Sequence, residues 1–149
     1  SALLKSIIDA TAYASQPGNR KEIAAAIAPA NYLNQPEIVL EQILTGTFAD
    51  GLGNIVQQPD RVDFDPFPWQ SFAVWILTQM KRWGQIEGDI DYAAIASEVF
   101  LATDTTQLMQ EVGLTPPAEV TKTFVVMGKT FDPAEPDAYL DSFAIKSGG

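Results

Sequence analysis

The stretch Asp63-Phe64-Asp65-Pro66-Phe67-Pro68-Trp69-Gln70-Ser71-Phe72-Ala73-Val74-Trp75-Ile76-Leu77-Thr78-Gln79-Met80-Lys81-Arg82-Trp83-Gly84 contains the longest apolar-rich segment of the chain, Phe72 to Met80. Pro66 and Pro68 precede it. Proline lacks an N–H donor and keeps its predecessor extended, so the lead-in is expected to be irregular. From Trp69 to Trp83 neither proline nor glycine intervenes, and Gly84 supplies the stop. Lys81 and Arg82 fall in the last turn, where cations complement the helix dipole. The spacing places Trp69, Phe72, Ala73, Ile76, Met80 and Trp83 on one face, while Val74, Trp75 and Leu77 make the other side apolar as well. A helix apolar nearly all round is expected to be buried on most sides, so this one reads as the central core helix. The alternative is that its Trp75 side faces another lobe or chain and is left bare in a fragment.

Upstream, Leu3, Leu4, Ile7, Ile8 and Ala12 recur at helical spacing until Pro17-Gly18. Asn19 followed by Glu22 reads as a capping box for a second helix, which runs through Ile23 and Ile27 to Pro29. Asn34 and Glu37 repeat that signal for a third helix, with Pro36 in its first turn and Gly46 just past its end. Thr47-Phe48, the glycine-rich turn Asp50-Gly51-Leu52-Gly53, and Ile55-Val56 suggest a short hairpin or an excursion loop.

Downstream, Asp91 is expected to cap a helix from Tyr92 to Leu101. Asp104 and Gln107 read as the capping box of a further short helix, closed by Gly113 with Leu114 and Pro116 behind it. Thr121 to Phe131 is β-branched and aromatic, and Gly128 could fold it into a hairpin. Asp132-Pro133 with Glu135 is expected to start a last helix carrying Tyr139, Leu140 and Phe143. The expected fold class is mainly α with minor β hairpins (α+β), six or seven helices with one or two hairpins, in a single compact unit over residues 1–149.

Composition narrows function by exclusion. With 46% hydrophobic and 19% charged residues, the 149-residue chain can build a core. No apolar stretch approaches the roughly 18 residues of a membrane span. Nineteen acids against nine bases give a net charge of −10, with no basic stripe for phosphates, so nucleic acid is not an expected partner. The chain has no Cys and no His. That removes thiolate nucleophiles, zinc–thiolate and imidazole sites, and the usual triads. Ser1-Ala2-Leu3-Leu4-Lys5 enters a helical pattern without a signal-peptide cleavage site, and Ser147-Gly148-Gly149 reads as a frayed end. Both are compatible with a piece of a longer chain.

Carboxylate pairs could still act as acid and base. The candidates are Asp63 with Asp65 and Asp89 with Asp91, but both pairs lie beside turns and helix starts, where Asp is favoured as a cap. Asp60 to Asp65 lacks the spacing and distal glutamate of a calcium loop, so a solvated acidic loop is the better account. Gly51-Leu52-Gly53 lacks a phosphate-loop signature, and Asp50 would repel phosphate. No catalytic residue, metal ligand or cofactor is expected, and the chain reads as a binding protein and not an enzyme.

The run from Asp63 to Gly84 resembles the substrate-binding proteins of nitrate and bicarbonate ABC transporters. Three further stretches agree in order: Asn31-Tyr32-Leu33-Asn34 with Pro36; Tyr92 to Thr103, ending Phe100-Leu101-Ala102-Thr103; and Met127-Gly128-Lys129 through Phe131-Asp132-Pro133 to Tyr139-Leu140 and Ser142-Phe143. The resemblance covers most of this chain but about the last third of a family member. It implies the C-terminal helical portion of a two-lobed periplasmic-binding-protein fold, with helices packed on the first lobe. The family's anion-contacting residues would lie upstream, so the ligand-binding residues are unknown here. Implied partners are an inorganic anion, through the full-length parent, and a membrane permease. The implied location is periplasmic or membrane-anchored on the outer face. A receptor-like regulatory domain fused to the transporter's cytoplasmic ATPase is similar too. A fragment is expected to bare apolar surface around the aromatic helix, and a dimer could cover it.

Overall fold

The computed structural model describes residues 2–145, so Ser147-Gly148-Gly149 lies outside the described residues. Two compact units, Ser1–Pro66 and Phe67–Gly149, are each described by themselves.

In the first unit, α1 (Ala2–Ser15) gives way to a 3-10 turn, Pro17–Asn19, that runs directly into α2 (Arg20–Ile27). The expected capping box does not form. The Asn19 Nδ2 donates back to the Tyr13 carbonyl at 2.9 Å, and the Tyr13 hydroxyl donates to Glu22 at 2.9 Å. The 3-10 turn already holds Asn19 in a helical conformation (φ −90°, ψ −12°), whereas an N-cap needs an extended one.

The second expected box fails for a different reason. Asn34 adopts φ 50° in a tight loop, where the Tyr32 and Asn34 amides both donate to the Pro29 carbonyl at 2.9 and 3.1 Å. Pro36 therefore occupies the cap position of α3 (Glu37–Thr45).

Gly46 ends α3 as read from the sequence, at φ 70°, and β1 (Thr47–Ala49) pairs antiparallel with β2 (Ile55–Gln57), Phe48 opposite Val56. Gly46 is obligatory twice over: its φ is left-handed, and a Cβ there would overlap the Gln58 carbonyl. Ala24, Leu40 and Leu44 form this unit's core, with Ile23, Ile27 and Phe64 packed on it.

In the second unit, the residues after Pro68 enter α4 (Gln70–Arg82), followed by α5 (Tyr92–Val99) and α6 (Ala102–Glu111). A hairpin of β3 (Phe124–Val126) and β4 (Lys129–Phe131) follows, and α7 (Pro136–Asp141) closes the described fold. The hairpin turns on Met127 and Gly128, at φ 51° and 78°, the pair of left-handed residues that a two-residue turn of this twist requires. Asp91 caps α5 as expected, accepting from the Ala94 amide at 3.0 Å. However, α5 stops at Val99 and α6 starts at Ala102, so Asp104 lies in the first turn of α6 and is not its cap. Gly113 closes α6, at φ 80°. The Asp132 carboxylate accepts from Ala134 N at 2.9 Å, which forms a turn and delays α7 to Pro136.

Contrary to expectation, α4 is not buried on most sides. Ser71, Ala73, Val74 and Thr78 are buried, while Phe72, Ile76 and Trp83 remain partly exposed. Small residues permit close packing on α5 and α7, and their hydroxyls are satisfied. The Thr78 hydroxyl donates to the Trp75 carbonyl at 2.6 Å, and Ser71 Oγ accepts from Lys122 N at 3.2 Å. The large side chains instead form a string of edge-to-face and tilted rings from Phe72 through Phe124, Phe131 and Tyr139 to Phe143, with centroids 4.7–5.2 Å apart. Phe131, fully buried, is its hub. Trp75 is half-buried and not bare; its indole N–H donates to the Tyr139 hydroxyl at 3.2 Å. Among the described residues the fold is thus mainly helical, seven α-helices with two small hairpins.

Candidate functional site

The most unusual polar group is Arg20, whose side chain is 7% exposed. Its guanidinium donates to the carbonyls of Leu44 at 3.1 Å, Pro59 at 2.6 Å and Val62 at 3.5 Å, and lies 5.9 Å from the centre of the Phe64 ring. The acceptors are backbone carbonyls, and Nε–H is buried without a partner. Arg20 ties the end of α3 to the segment after β2. Nothing in its sequence context singled it out, since its three acceptors lie 24, 39 and 42 positions away.

The acidic candidates separate into local roles. Asp63 accepts from the Asp65 amide at 3.0 Å, and Asp91 is consumed as the α5 cap. Asp89 is exposed. Asp50 accepts from Asn54 Nδ2 at 2.8 Å and from the amides of Leu52 and Asn54 at 2.7 and 3.1 Å. These bonds, that from the Asn54 side chain first, hold its carboxyl below the usual range. It therefore organises the glycine-rich turn and leaves no phosphate cradle there. No group of three or more potential ligands able to hold a metal occurs among the described residues.

Among the described residues, three concavities each mix charge of both signs. One of about 280 Å³ joins Arg20 with Asp60 and Asp63. One of about 350 Å³ joins Lys129 with Asp132 and Glu135, and another of about 350 Å³ joins Lys122 with Asp132. A desolvated oxyanion needs several converging donors and no competing carboxylate, and none of these three walls supplies that. A fourth, open concavity of about 700 Å³ in the first unit is mostly apolar, lined by Ile7, Ala10, Tyr13, Ala14, Ile23 and Phe64 together with Asp9 and Thr11.

In the second unit, polar contacts knit helices together. The Tyr92 hydroxyl donates to Asp137 at 3.1 Å, and Lys81 approaches the same carboxylate at 3.6 Å. Burial first, then the Asp137 bond, raises the Tyr92 phenol above its ordinary value of 10.0. Lys122 lies 4.2 Å over the Trp69 ring. No helix among the described residues is long and apolar enough to cross a membrane.

No protein-family model matches the chain. It is 28% identical over 158 residues to the nitrate/nitrite binding protein NrtA of Synechocystis sp., covering 98% of this chain and 35% of that protein. It is 29% identical over 165 residues to the bicarbonate-binding protein CmpA of Synechococcus elongatus, covering 97% and 36%. The bicarbonate transport ATP-binding protein CmpC of Synechocystis sp. matches at 28% over 151 residues, covering 97% of this chain and 22% of that one. The crystal structure of the periplasmic nitrate-binding protein NrtA from Synechocystis superposes with a TM-score of 0.86 at 24% identity, covering 97% of this chain and 40% of that one. The chain thus spans about a third of the length of its binding-protein relatives. Over nearly all of its own length it is a relative of the nitrate- and bicarbonate-binding proteins, and it has the fold of the matching part of NrtA.

Proposed function

We propose that this chain is part of the solute-binding receptor of an ABC transporter for nitrate, nitrite or bicarbonate, and that it supports the binding lobe while the ligand contacts lie elsewhere in a longer protein. The observation that carries the reading is the similarity to NrtA and CmpA over 97–98% of the chain, set against polar concavities that each oppose a cation with carboxylate. The protein acts by enclosing an oxyanion and presenting it to a membrane permease, not by catalysis. Its place is the periplasmic side of the membrane, the location named for the matching NrtA structure. Calorimetry of the longer parent with nitrate, nitrite and bicarbonate tests this. Binding of one of them by the parent and of none by the 149-residue chain is expected; no binding by the parent refutes it.

The match to CmpC over 97% of the chain favours a second reading, a receptor-like regulatory domain attached to a transporter ATPase and located in the cytoplasm. A nucleotide-binding domain in the same polypeptide decides for this reading. A signal peptide with a lipid-anchoring cysteine decides for the first.

A further inference from the structure

The chain has three methionines and no cysteine, so thioethers are its only sulfur and no thiol competes with them for an oxidant. The fold gives them three different surroundings. Met109 lies on α6 beside the buried Leu108 and is 7% exposed. Met80 is half-buried near the end of α4. Met127 stands at the tip of the β3–β4 hairpin and is 96% exposed. Along β3, Phe124 and Val126 are partly covered while Val125 is exposed, and Met127 continues the open side. At φ 51° it holds a left-handed turn position that Asn, Asp or Gly usually fills.

We propose that Met127 is the preferred oxidation site of this chain, taking one oxygen atom from a hydroperoxide, and that its sulfoxide leaves the fold intact. A sulfur lone pair attacks one peroxide oxygen. The S–O bond forms as the O–O bond breaks, and the departing hydroxide takes up the remaining proton and leaves as water. The sulfur gives up two electrons and the peroxide is reduced, so no further reagent is needed. Charge separates along this path, which favours a sulfur in contact with water over a buried one. The product oxygen is a hydrogen-bond acceptor. Water satisfies it at the hairpin tip, whereas on Met109 it would be desolvated. Hardly any packing rests on the Met127 side chain. The hairpin is held instead by the pairing of Val126 with Lys129 and by the contact of the Phe124 and Phe131 rings, centroids 5.2 Å apart.

The test exposes the folded chain to dilute hydrogen peroxide and follows the gain of one oxygen on each methionine peptide by mass spectrometry. Met127 is expected to oxidise about tenfold faster than Met109 and faster than Met80, as exposure requires. In concentrated urea the three rates should converge. The chain oxidised at Met127 alone should keep its far-UV circular dichroism and its urea midpoint. Met127→Leu should slow uptake of the first oxygen to the rate of Met80 and leave the same midpoint. Met80 or Met109 oxidising as fast as Met127 in the folded chain overturns the proposal. So does the same preference for Met127 in urea, which would place its cause in local sequence and not in the fold. A midpoint lowered by the Met127 sulfoxide overturns the claim that the modification leaves the fold intact.

Discussion

Replacing Arg20 by methionine keeps most of the side-chain volume and removes the guanidinium. The two shorter bonds, to Pro59 at 2.6 Å and Leu44 at 3.1 Å, are charge-assisted and contribute about 1.5–3 kcal/mol each. The contact to Val62 at 3.5 Å sits at the geometric limit and adds little. Against them stands the buried, unpartnered Nε–H, which costs about 1–3 kcal/mol. At the middle of these ranges the balance predicts a loss of about 2.5 kcal/mol, or about 1 M in urea midpoint at a slope of about 2 kcal/mol per molar. Arg20→Lys, with a point charge and no fork, should fall between the two. All three tryptophans lie beyond Pro66, so far-UV circular dichroism and amide exchange of α2 and α3 are the suitable readouts. An Arg20→Met protein as stable as the parent, or more stable, would refute the reasoning. It would mean that desolvating the cation outweighs its bonds, as occurs for some buried ion pairs.

Further expectations can be checked in the same way. Phe131→Ala removes the hub of the ring string and should cost about 3–5 kcal/mol, read by tryptophan fluorescence in urea; a loss under about 1 kcal/mol would show that the string repacks. Gly51→Ala, at φ 78° in open space, should cost about 1–2 kcal/mol for the left-handed backbone alone. Gly46→Ala should cost about 1–3 kcal/mol more, because its Cβ must displace the Gln58 carbonyl; equal losses in the two variants would contradict that. The raised Tyr92 phenol makes a pH prediction. The folded state holds the proton more tightly than the unfolded, so its stabilisation is complete below the unfolded value of 10.0 and is lost as pH rises through the folded one. Tyr92→Phe should flatten the loss of stability above pH 10, and an unaltered alkaline slope would count against it.

Residues that act on their immediate neighbours were legible without coordinates. Gly46, Gly84 and Gly113 stop helices where the chain must turn left-handed, Asp91 caps its helix, and Gly128 turns its hairpin. The motif order that carried the family resemblance is likewise a one-dimensional property, as is the lack of His and Cys chemistry. Asn19 and Asn34 misled because a cap signal is conditional: each has the right side chain, but a 3-10 turn and a loop closed on Pro29 set their backbones first.

Tertiary structure alone decided the rest. On α4, where nearly every face is apolar, periodicity carries no information about direction. Close packing on α5 and α7 selected the small residues Ser71, Ala73, Val74 and Thr78 over the larger ring-bearing face. Arg20 became the buried tie of the first unit because carbonyls as far as 42 positions along the chain converge on it. The burial of Ile8 while Leu3 and Ile7 of α1 stay exposed belongs to the same class. The helical spacing was visible, but which residues are covered depends on what packs against the helix from distant positions, and local sequence cannot encode that.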